Sequence, residues 1–472
     1  MIREAPNEPS REELNAVIAA LRADNAALKA RIAELERQLG LNSSNSGKPP
    51  SSDGLKKPAR VKSLRERSGK KPGGQQGHKG ETLRQVTDPD KVVDHYPPSC
   101  ATCGVGLDPE TSVGHTARQV FDLPEPQLVV TEHRVHDCLC TVCGTTTRGR
   151  FPDGVNAPVQ YGARIRSFVI YLLHLPEDRL AELMADLFGV KLAAATIARM
   201  SRTCAERLRG FTETLRDLVA GAPVKHMDET GFRIAGKTQW LHVASTALLT
   251  FYRVCAKRGS LLANVAGIAV HDHWKPYYTM QGVLHALCNA HHLRELKALV
   301  EIEKEDWARK MQQLLRRACH AANLARERGI VLKPLLIECF ERCYDAILAE
   351  GLVFHEAQKP LAQTTIKAGG KRRGRAPRRT GHNLLLRLAT RKQDTLRFLR
   401  DPTVPFSNNQ AERDGRMMKL RQKISGGFRS LEGAMDFALI RSFVSTAKKQ
   451  GWNIIEALTR DPANLAESLR LS

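Results

Sequence analysis

The segment "AGIAVHDHWKPYY", residues 266–278, decides the fold class because it reads as a buried strand that ends on an acid. From Ala266 to Val270 the residues are almost wholly apolar, and Asp272 follows between two histidines. A short apolar run bounded by polar residues is consistent with a strand buried on both faces. No Lys or Arg lies beside Asp272 in the sequence before Lys275, so the acid lacks a local counter-ion.

Four further segments predict strands around this one, and together they predict an α/β fold. They are "PVKHMDETGF" (223–232), "TQWLHVAST" (238–246), "LLTFYRV" (248–254) and "GVLHALC" (282–288). A short helix is predicted around "RGSLLANVA" (258–266). The first strand is expected to end at Asp228–Glu229, so Asp228 and Asp272 would lie side by side at two strand tips of one sheet.

Two neighbouring carboxylates repel each other unless a cation joins them, and oxygen ligands suit Mg²⁺. A third acid is expected from "FSNNQAERDGRMMKLRQKISGGFRS" (406–430). The pattern Ser407-x-x-Gln410 fits a capping box and predicts a helix with Glu412 in its first turns. Basic residues follow on that helix, which suggests that Glu412 binds metal while they bind phosphates. The candidate phosphate contacts are Arg413, Arg416 and Lys419. The alternative for each acid is a helix cap or a surface charge.

The composition predicts a soluble protein that binds nucleic acid. The chain has 472 residues and a net charge of +23, which favours polyanions because each bound phosphate releases a counterion. No apolar run approaches the ~18 residues of a membrane span, and the N-terminus lacks a signal peptide. We therefore expect a cytoplasmic, nucleoid-associated protein that makes no membrane contact.

Residues 1–41 contain a heptad repeat. Leucines recur at 14, 21, 28 and 35, and the residues four positions after them are Ile18, Asn25, Ile32 and Leu39. Leu at d with Ile at a favours two parallel helices, and Asn25 at an a position is typical of a residue that fixes register. The prediction is a zipper that forms a homodimer or a higher oligomer; a single amphipathic helix packed on its own chain is the alternative.

Residues 42–82 predict a flexible basic arm, because the segment is rich in Ser, Pro and Gly and its first part, 42–80, carries ten Lys and Arg. It can serve as a solvated tether, as a phosphate-binding arm, or as both. A second basic run, "KAGGKRRGRAPRRTGH" (367–382), predicts either a DNA-facing loop or a disordered one.

Residues 83–158 predict a zinc-binding module. They contain Cys100-x-x-Cys103 and Cys140-x-x-Cys143, each followed by Gly, and two such pairs complete a closed tetrahedral Zn²⁺ site. The gap of 36 residues exceeds the usual ~15–20, which a strand-rich insert around 118–138 would explain. Cys138 is a rival ligand.

Residues 159–220 predict a helix-turn-helix. Apolar residues recur at helical spacing within 176–187 and predict a first helix, which Gly189 ends. The segment "AAATIARMSRTCAERL" (193–208) predicts a second helix after a short turn. If the second helix enters a major groove, the candidate contacts are Lys191, Thr196, Arg199 and Arg202. An ordinary helix pair is the alternative.

"HALCNAHHLREL" (285–296) places Cys288 and His291 on one helix face. A second Zn²⁺ site and a hydrogen-bonded polar corner both fit. The polar corner is favoured because a closed Zn²⁺ site needs four ligands.

Several of these segments together resemble the transposases of the insertion sequence 66 family. They are "HMDETGFRIAGKTQWLHV", "VHDHWKPYY", "LCNAHHLREL" and "SNNQAERDGRMMKLRQKISGGFRS", with the zipper, "RSGKKPGGQQGHKG", the Cys pairs and "LPEDRLAELMADLFGV". The resemblance implies a ribonuclease-H-like core with an Asp-Asp-Glu triad at Asp228, Asp272 and Glu412. It also implies a helical insertion before the Glu and small accessory proteins encoded alongside.

The full prediction is a multidomain α/β protein. Beyond the N-terminal segments it places the first part of the catalytic core at 221–288, an all-helical insertion at 289–401 and the second part of the core at 402–472. The expected activity is binding of terminal inverted repeats, cleavage with two Mg²⁺ or Mn²⁺ ions, and transfer of the 3′-OH to target DNA. The alternatives are a non-catalytic DNA-binding regulator and a structure-selective nuclease.

Overall fold

The structure is a computed structural model that describes residues 10–42, 45–46, 83–234, 236–259, 262–359 and 378–471. Most of the basic arm and most of the basic run at 367–382 lie outside the described residues.

Fourteen helices and seven strands form the described parts of the chain. The helices are α1 (Arg11–Gly40), α2 (Ala163–Tyr171), α3 (Glu177–Phe188), α4 (Ala194–Arg207), α5 (Arg209–Gly221), α6 (Asn289–Ala298), α7 (Asp306–Glu327), α8 (Pro334–Glu356), α9 (Thr380–Thr390), α10 (Lys392–Arg400), α11 (Asn409–Ser425), α12 (Leu431–Gln450), α13 (Ile454–Ala457) and α14 (Pro462–Glu467). The strands are β1 (Asp137–Leu139), β2 (Thr146–Arg148), β3 (Val224–Ile234), β4 (Lys237–Ser245), β5 (Thr250–Cys255), β6 (Ile268–His271) and β7 (Leu284–Leu287).

Strands β3 to β7 form one mixed sheet in the order β5-β4-β3-β6-β7. β3, β4 and β5 are antiparallel neighbours, whereas β6 and β7 run parallel to β3. All four residues of β6 are buried, which is expected of a strand covered on both faces. The five strands predicted between residues 223 and 288 are all present in this sheet.

Gly267 allows β6 to start close against the entry to β3. Its φ of 69° lies in the left-handed region, and a Cβ there would lie 2.5 Å from the carbonyl oxygen of Pro223. Glycine adopts this conformation without the steric penalty of other residues. The close approach sets the parallel pairing that begins at Val224 and Ile268.

Two apolar cores lie around this sheet. One joins α2–α5, β3–β5 and α11–α14, and α12 packs along β5 within it. The other joins β6 and β7 to α6–α10, and includes the fully buried Trp307 and Leu385. The helical segment between the last strand and Glu412 therefore has a core of its own and also packs on the sheet.

Two details of the predicted core are wrong, one in a strand and one in a helix. β3 continues six residues beyond Asp228 to Ile234, because it pairs with β4 as far as Ile234 opposite Lys237. The described residues between Cys255 and Ile268 form bends, and the predicted helix at 258–266 is absent from them.

The predicted helix pair is present. α3 ends at Gly189, whose φ is 64°, and α4 follows after a short connection. α4 packs against α2, α3 and α12, so one of its faces is buried in the first core.

The N-terminal parts bury little. α1 forms as predicted, and its leucines at 14, 21, 28 and 35 are 42–64% exposed. The end of α1 and the residues after it contact the helical segment after β7, because Gly40 lies against Ile302 and Asn45 bonds Glu301 at 3.3 Å.

In residues 83–158 the strands are β1 and β2 alone, so the strand-rich insert predicted around 118–138 is wrong.

Candidate functional site

The register of β3 and β6 places two acids opposite each other. Their last parallel pair is His226 with Val270, so continuing two residues along each strand brings Asp228 opposite Asp272. Adjacent strands lie ~4.8 Å apart. β6 ends at His271 while β3 continues, so both carboxylates are at the point where the two strands part.

Glu412 reaches the same face of the sheet from α11. This helix packs across β3 and β4, and Gly415, one turn after Glu412, faces Val243, the β4 partner of Asp228. Burial raises the pKa of Asp228 to about 8, and the charges of Glu229, Asp272 and Glu412 add to the rise. The charges of Asp272 and Glu412 are therefore near enough to act on Asp228 in this poorly solvated place.

Asn408 connects the Glu412 helix to β3. Its side-chain amide donates to the carbonyl oxygen of Met227 at 2.7 Å, and its oxygen lies 2.9 Å from Nδ1 of His226. Its backbone N–H donates to Sγ of Cys288 at 3.0 Å, and the residue is 1% exposed. Three segments that carry candidate site residues therefore meet at one asparagine.

The predicted capping box at Ser407 and Gln410 is wrong. The helix begins at Asn409 with Asn408 as its N-cap, and no side-chain bond caps it. The Asn408 side chain is used on β3 instead, and Gln410 bonds Asp414 at 3.1 Å. The helix start was predictable from composition, whereas its partner on β3, 181 residues away, was not.

Glu412 also has neighbours on α6. Nη2 of Arg294 lies 3.5 Å from its Oε1, and Nδ1 of His291 lies 3.9 Å from the same oxygen. Burial raises the pKa of the Cys288 thiol to about 11 and lowers the pKa of His291. Arg294 is thus a cation close to Glu412, and the local sequence around Glu412 did not reveal this contact.

The side chain of Glu229, next to Asp228, is bonded to Arg258 and Tyr277. It accepts from Nε of Arg258 at 3.0 Å and from the hydroxyl of Tyr277 at 2.6 Å, and its side chain is 1% exposed. The Arg258 guanidinium also lies over Trp240 at 5.0 Å and over Trp274 at 4.3 Å. This group joins the loop after Asp272 to β3 and β4, and sequence reasoning missed it because its members are scattered.

The loop after β6 holds Asp272 with an unusual backbone. The N–H of Trp274 donates to Oδ1 of Asp272 at 3.0 Å. His273 between them has a φ of 75°, and its Nδ1 lies 2.8 Å from the Tyr278 hydroxyl. A left-handed histidine costs free energy, so surrounding contacts must maintain it.

Asp228, Asp272 and Glu412 offer oxygen ligands on one face of the sheet, and the charges of Asp272 and Glu412 both help to raise the pKa of Asp228. Oxygen ligands of this kind suit Mg²⁺ or Mn²⁺. Among the described residues, however, the three carboxylates do not form one group of close ligand atoms.

The predicted phosphate contacts on α11 are available to solvent. Arg413, Arg416 and Lys419 are exposed, and Lys419 is near enough to Asp228 to lower its pKa. Arg421 is not available in this way, because its guanidinium lies 4.9 Å from the ring of Phe428 and 5.1 Å from that of Phe437.

The predicted groove contacts lie around α4. Lys191, Arg199 and Arg202 are exposed, and Thr196 is partly buried. Arg202 lies 3.9 Å from Glu432 at the start of α12, so the far end of α4 is close to the first core.

The two Cys-x-x-Cys-Gly turns have matching backbones. The N–H of Gly104 donates to the carbonyl of Cys100 and that of Gly144 to Cys140, both at 2.9 Å. Both glycines are left-handed, with φ of 75° and 69°. Among the described residues, however, the four thiols do not form one cluster of close ligand atoms. The zinc site remains a prediction.

Cys138 is exposed on β1, outside both turns. The Thr145 hydroxyl, 3.3 Å from Sγ of Cys143, is the main cause that lowers the pKa of that thiol to about 7.

None of the helices that the structure describes is both long and apolar enough to cross a membrane.

Comparison with known proteins gives family matches to two separate parts of the chain. A family model described as "Transposase IS66 family" matches residues 158–436, more than half of the sequence. A "Family of unknown function (DUF6444)" matches residues 3–84. The "Uncharacterized protein y4jO" of Sinorhizobium fredii is 36% identical over 77 residues, which is 16% of this chain and 24% of that protein. The chain thus covers about a quarter of that relative.

Proposed function

Because the chain belongs to the transposase IS66 family, we propose that it is a DNA transposase of the Asp-Asp-Glu type. In this proposal it binds the terminal inverted repeats of its element, cuts at their ends and transfers the 3′-OH to target DNA. Asp228, Asp272 and Glu412 are the catalytic residues.

One observation carries the proposal: three acids from distant segments share one face of the sheet. Two come from the neighbouring strands β3 and β6, and the third comes from α11, 140 residues after Asp272. Three antiparallel strands with two parallel strands beside the first are the arrangement expected for a ribonuclease-H-like core. Helices α6–α10 correspond to the implied helical insertion.

Bound divalent ions would supply Lewis acidity for activating a water and for stabilising the leaving 3′ oxygen. The chain's own residues prepare the place. Asn408 and the group around Glu229 keep the acids on one face, and the loop after β6 orients Asp272 through its bond to Trp274. Arg413 and Arg416 are exposed beside Glu412, where they would bind the phosphates that flank the reacting one.

The other parts would bring the DNA to this face. We propose that α4 and the connection before it read the inverted repeat with Lys191, Thr196, Arg199 and Arg202, and that residues 42–82 contact phosphates along the duplex. Cys100, Cys103, Cys140 and Cys143 would hold a structural Zn²⁺. The exposed leucines of α1 would pair two chains, and small accessory proteins of the element are further candidate partners.

The test uses the full chain, Mg²⁺ and a duplex that carries the inverted repeats bracketing its gene. The expected result is a nick at the repeat end, followed by joining of that end to a target duplex. Asp228→Asn, Asp272→Asn and Glu412→Gln should each abolish both steps and leave duplex binding intact. Glu467→Gln, a matched change at an exposed acid of α14, should leave both steps unchanged.

The outcomes separate the alternatives. Binding without nicking would make the chain a non-catalytic DNA-binding regulator, and nicking without joining would make it a nuclease of the same core class. Normal cutting by any one of the three variants would remove that residue from the triad.

A further inference from the structure

Three side chains with different ligand chemistry converge where α6 begins. The Sγ of Cys288, a ring nitrogen of His291 and a carboxylate oxygen of Glu412 all lie within 4.8 Å of one another. Cys288 is the N-cap of α6 and His291 is three residues later, so both face the same side of the helix. Glu412 comes from α11, and the sequence alone could not add it to this pair.

One atom of this group lacks a partner. Nδ1 of His291 is shielded from solvent and has no hydrogen bond among the described residues. A buried polar atom without a partner costs ~1–3 kcal/mol. Oε1 of Glu412 is 3.9 Å from this nitrogen, too far for a hydrogen bond and suitable for a shared ion.

The chemistry of the group selects the kind of ion. A thiolate, an imidazole and a carboxylate together suit Zn²⁺, whereas Mg²⁺ takes oxygen ligands. The N–H of Asn408, 3.0 Å from Sγ, is the kind of outer donor that supports a metal-bound thiolate. Three protein ligands would leave the fourth tetrahedral position open.

We propose that Cys288, His291 and Glu412 form a binding site for one Zn²⁺ ion, or a similar transition-metal ion, at the junction of α6 and α11. The ion would join the helical insertion to the helix that carries Glu412. Arg294, 3.5 Å from the same carboxylate, is the competing cation that would have to turn away. The site shares Glu412 with the proposed catalytic triad, but binding of the metal needs neither DNA nor cleavage, so zinc content can be measured separately from activity.

The experiment measures zinc bound per chain by elemental analysis of the full-length protein after equilibration with buffered Zn²⁺. Because the Cys100 to Cys143 turns are expected to bind zinc as well, the result is read as a difference between variants. Cys288→Ser and His291→Ala should each bind one ion fewer than the wild type. His291→Ala keeps the bond between Cys288 and Asn408, so it decides the matter if Cys288→Ser fails to fold.

Two matched controls isolate the site. Cys204→Ser makes the same change at another buried thiol, whose pKa burial also raises to about 11 and which belongs to no group of close ligand atoms in the described residues. His320→Ala removes an exposed histidine of α7. Both should bind as much zinc as the wild type.

Cobalt substitution gives an independent signal. With Co²⁺ in place of Zn²⁺, the absorption of the wild type minus that of Cys288→Ser should show a tetrahedral ion with one thiolate ligand. Equal zinc in the wild type and in His291→Ala, or a difference spectrum without a thiolate band, would overturn the proposal. Cys288 and His291 would then belong to a hydrogen-bonded polar corner.

Discussion

The two Cys turns and the mixed sheet are held in shape by different means. Residues around β3–β7 and α2–α14 pack into two cores in which side chains such as Trp307, Leu180 and Phe443 are 0–2% exposed. In residues 83–158 no side chain is buried, and Val113, Val120 and Val142 are more than 90% exposed. Local hydrogen bonds, the β1–β2 pair and the bonds that join Gln85 and Val86 to Ala117 and Gln119 shape that segment.

The difference shows where the free energy of folding must come from. Burial of apolar surface contributes ~25 cal/mol per Å², so it stabilises the sheet and contributes almost nothing to residues 83–158. A segment without a core needs a metal, a disulfide or a partner to hold one conformation. The repeated Cys-x-x-Cys-Gly turns point to a metal.

The largest expected effect is on this N-terminal segment. Cys103→Ser should remove zinc binding worth ~10 kcal/mol and leave residues 83–158 open to protease, while residues 159–471 stay resistant. Limited proteolysis followed by mass spectrometry of the fragments measures both regions at once. Cys138→Ser, at an exposed thiol outside the two turns, serves as the control. Should Cys138→Ser lose zinc and Cys103→Ser retain it, the ligand set is wrong.

The second effect is on the acids of the sheet. Asp272→Asn should slow Mg²⁺-dependent cleavage by ~10³-fold or more, equivalent to ~4 kcal/mol, because a neutral amide binds a divalent cation poorly. Cleavage rates under single-turnover conditions measure it. The thermal midpoint of residues 159–471 should change little, since packing and not the metal maintains this region. A variant that unfolds would weaken the contrast between the two regions.

A third, smaller effect tests how the sheet region positions Glu412. Asn408→Ala removes two buried side-chain contacts, which should lower the free energy of unfolding by ~2–3 kcal/mol. It should also raise the Mg²⁺ concentration needed for half-maximal cleavage, because α11 is no longer fixed to β3. Asn383→Ala, at an exposed asparagine of α9, is the matched control. An unchanged Mg²⁺ requirement in Asn408→Ala would show that the core holds Glu412 without it.

The smallest effect concerns pH. The pKa of Asp228 is raised to about 8 in the folded chain, so without metal the folded state favours the protonated acid. Its contribution to stability is present at pH 4 and is lost as pH rises through 8. Asp228→Asn should therefore be more stable than the wild type at pH 9 by roughly 1–3 kcal/mol, after allowance for partial solvation. Urea unfolding in EDTA at pH 5 and pH 9 measures the difference, which should be smaller at the lower pH.

The sequence was sufficient for most elements whose signal is local, although the short helix at 258–266 and the capping box at Ser407 were wrong. The strands, the helix pair and the helix that carries Glu412 follow from periodicity and from breaks such as Gly189, and the structure has them. The α/β class and the family are confirmed as well.

What the sequence could not supply is the partner of each polar side chain. Asn408 lies between the two residues of the predicted capping box, Ser407 and Gln410, yet its side-chain amide contacts β3. Glu229 is the acid next to Asp228, yet its carboxylate is bonded to Arg258 and Tyr277. These contacts join positions 29 to 181 residues apart, and spacing along the chain carries no information about them. The length of β3 was missed for the same reason, since β4 determines where it ends.

The link that Asn408 makes between α11 and β3 has a consequence during protein synthesis. Asp228 and Asp272 leave the ribosome well before Glu412, and the whole helical insertion must emerge between them. Until α11 docks through Asn408, a growing chain holds only two of the three acids. Under the proposed function, a nascent or truncated product would therefore be unable to cut DNA, and chain order alone would prevent damage to the genome by unfinished protein.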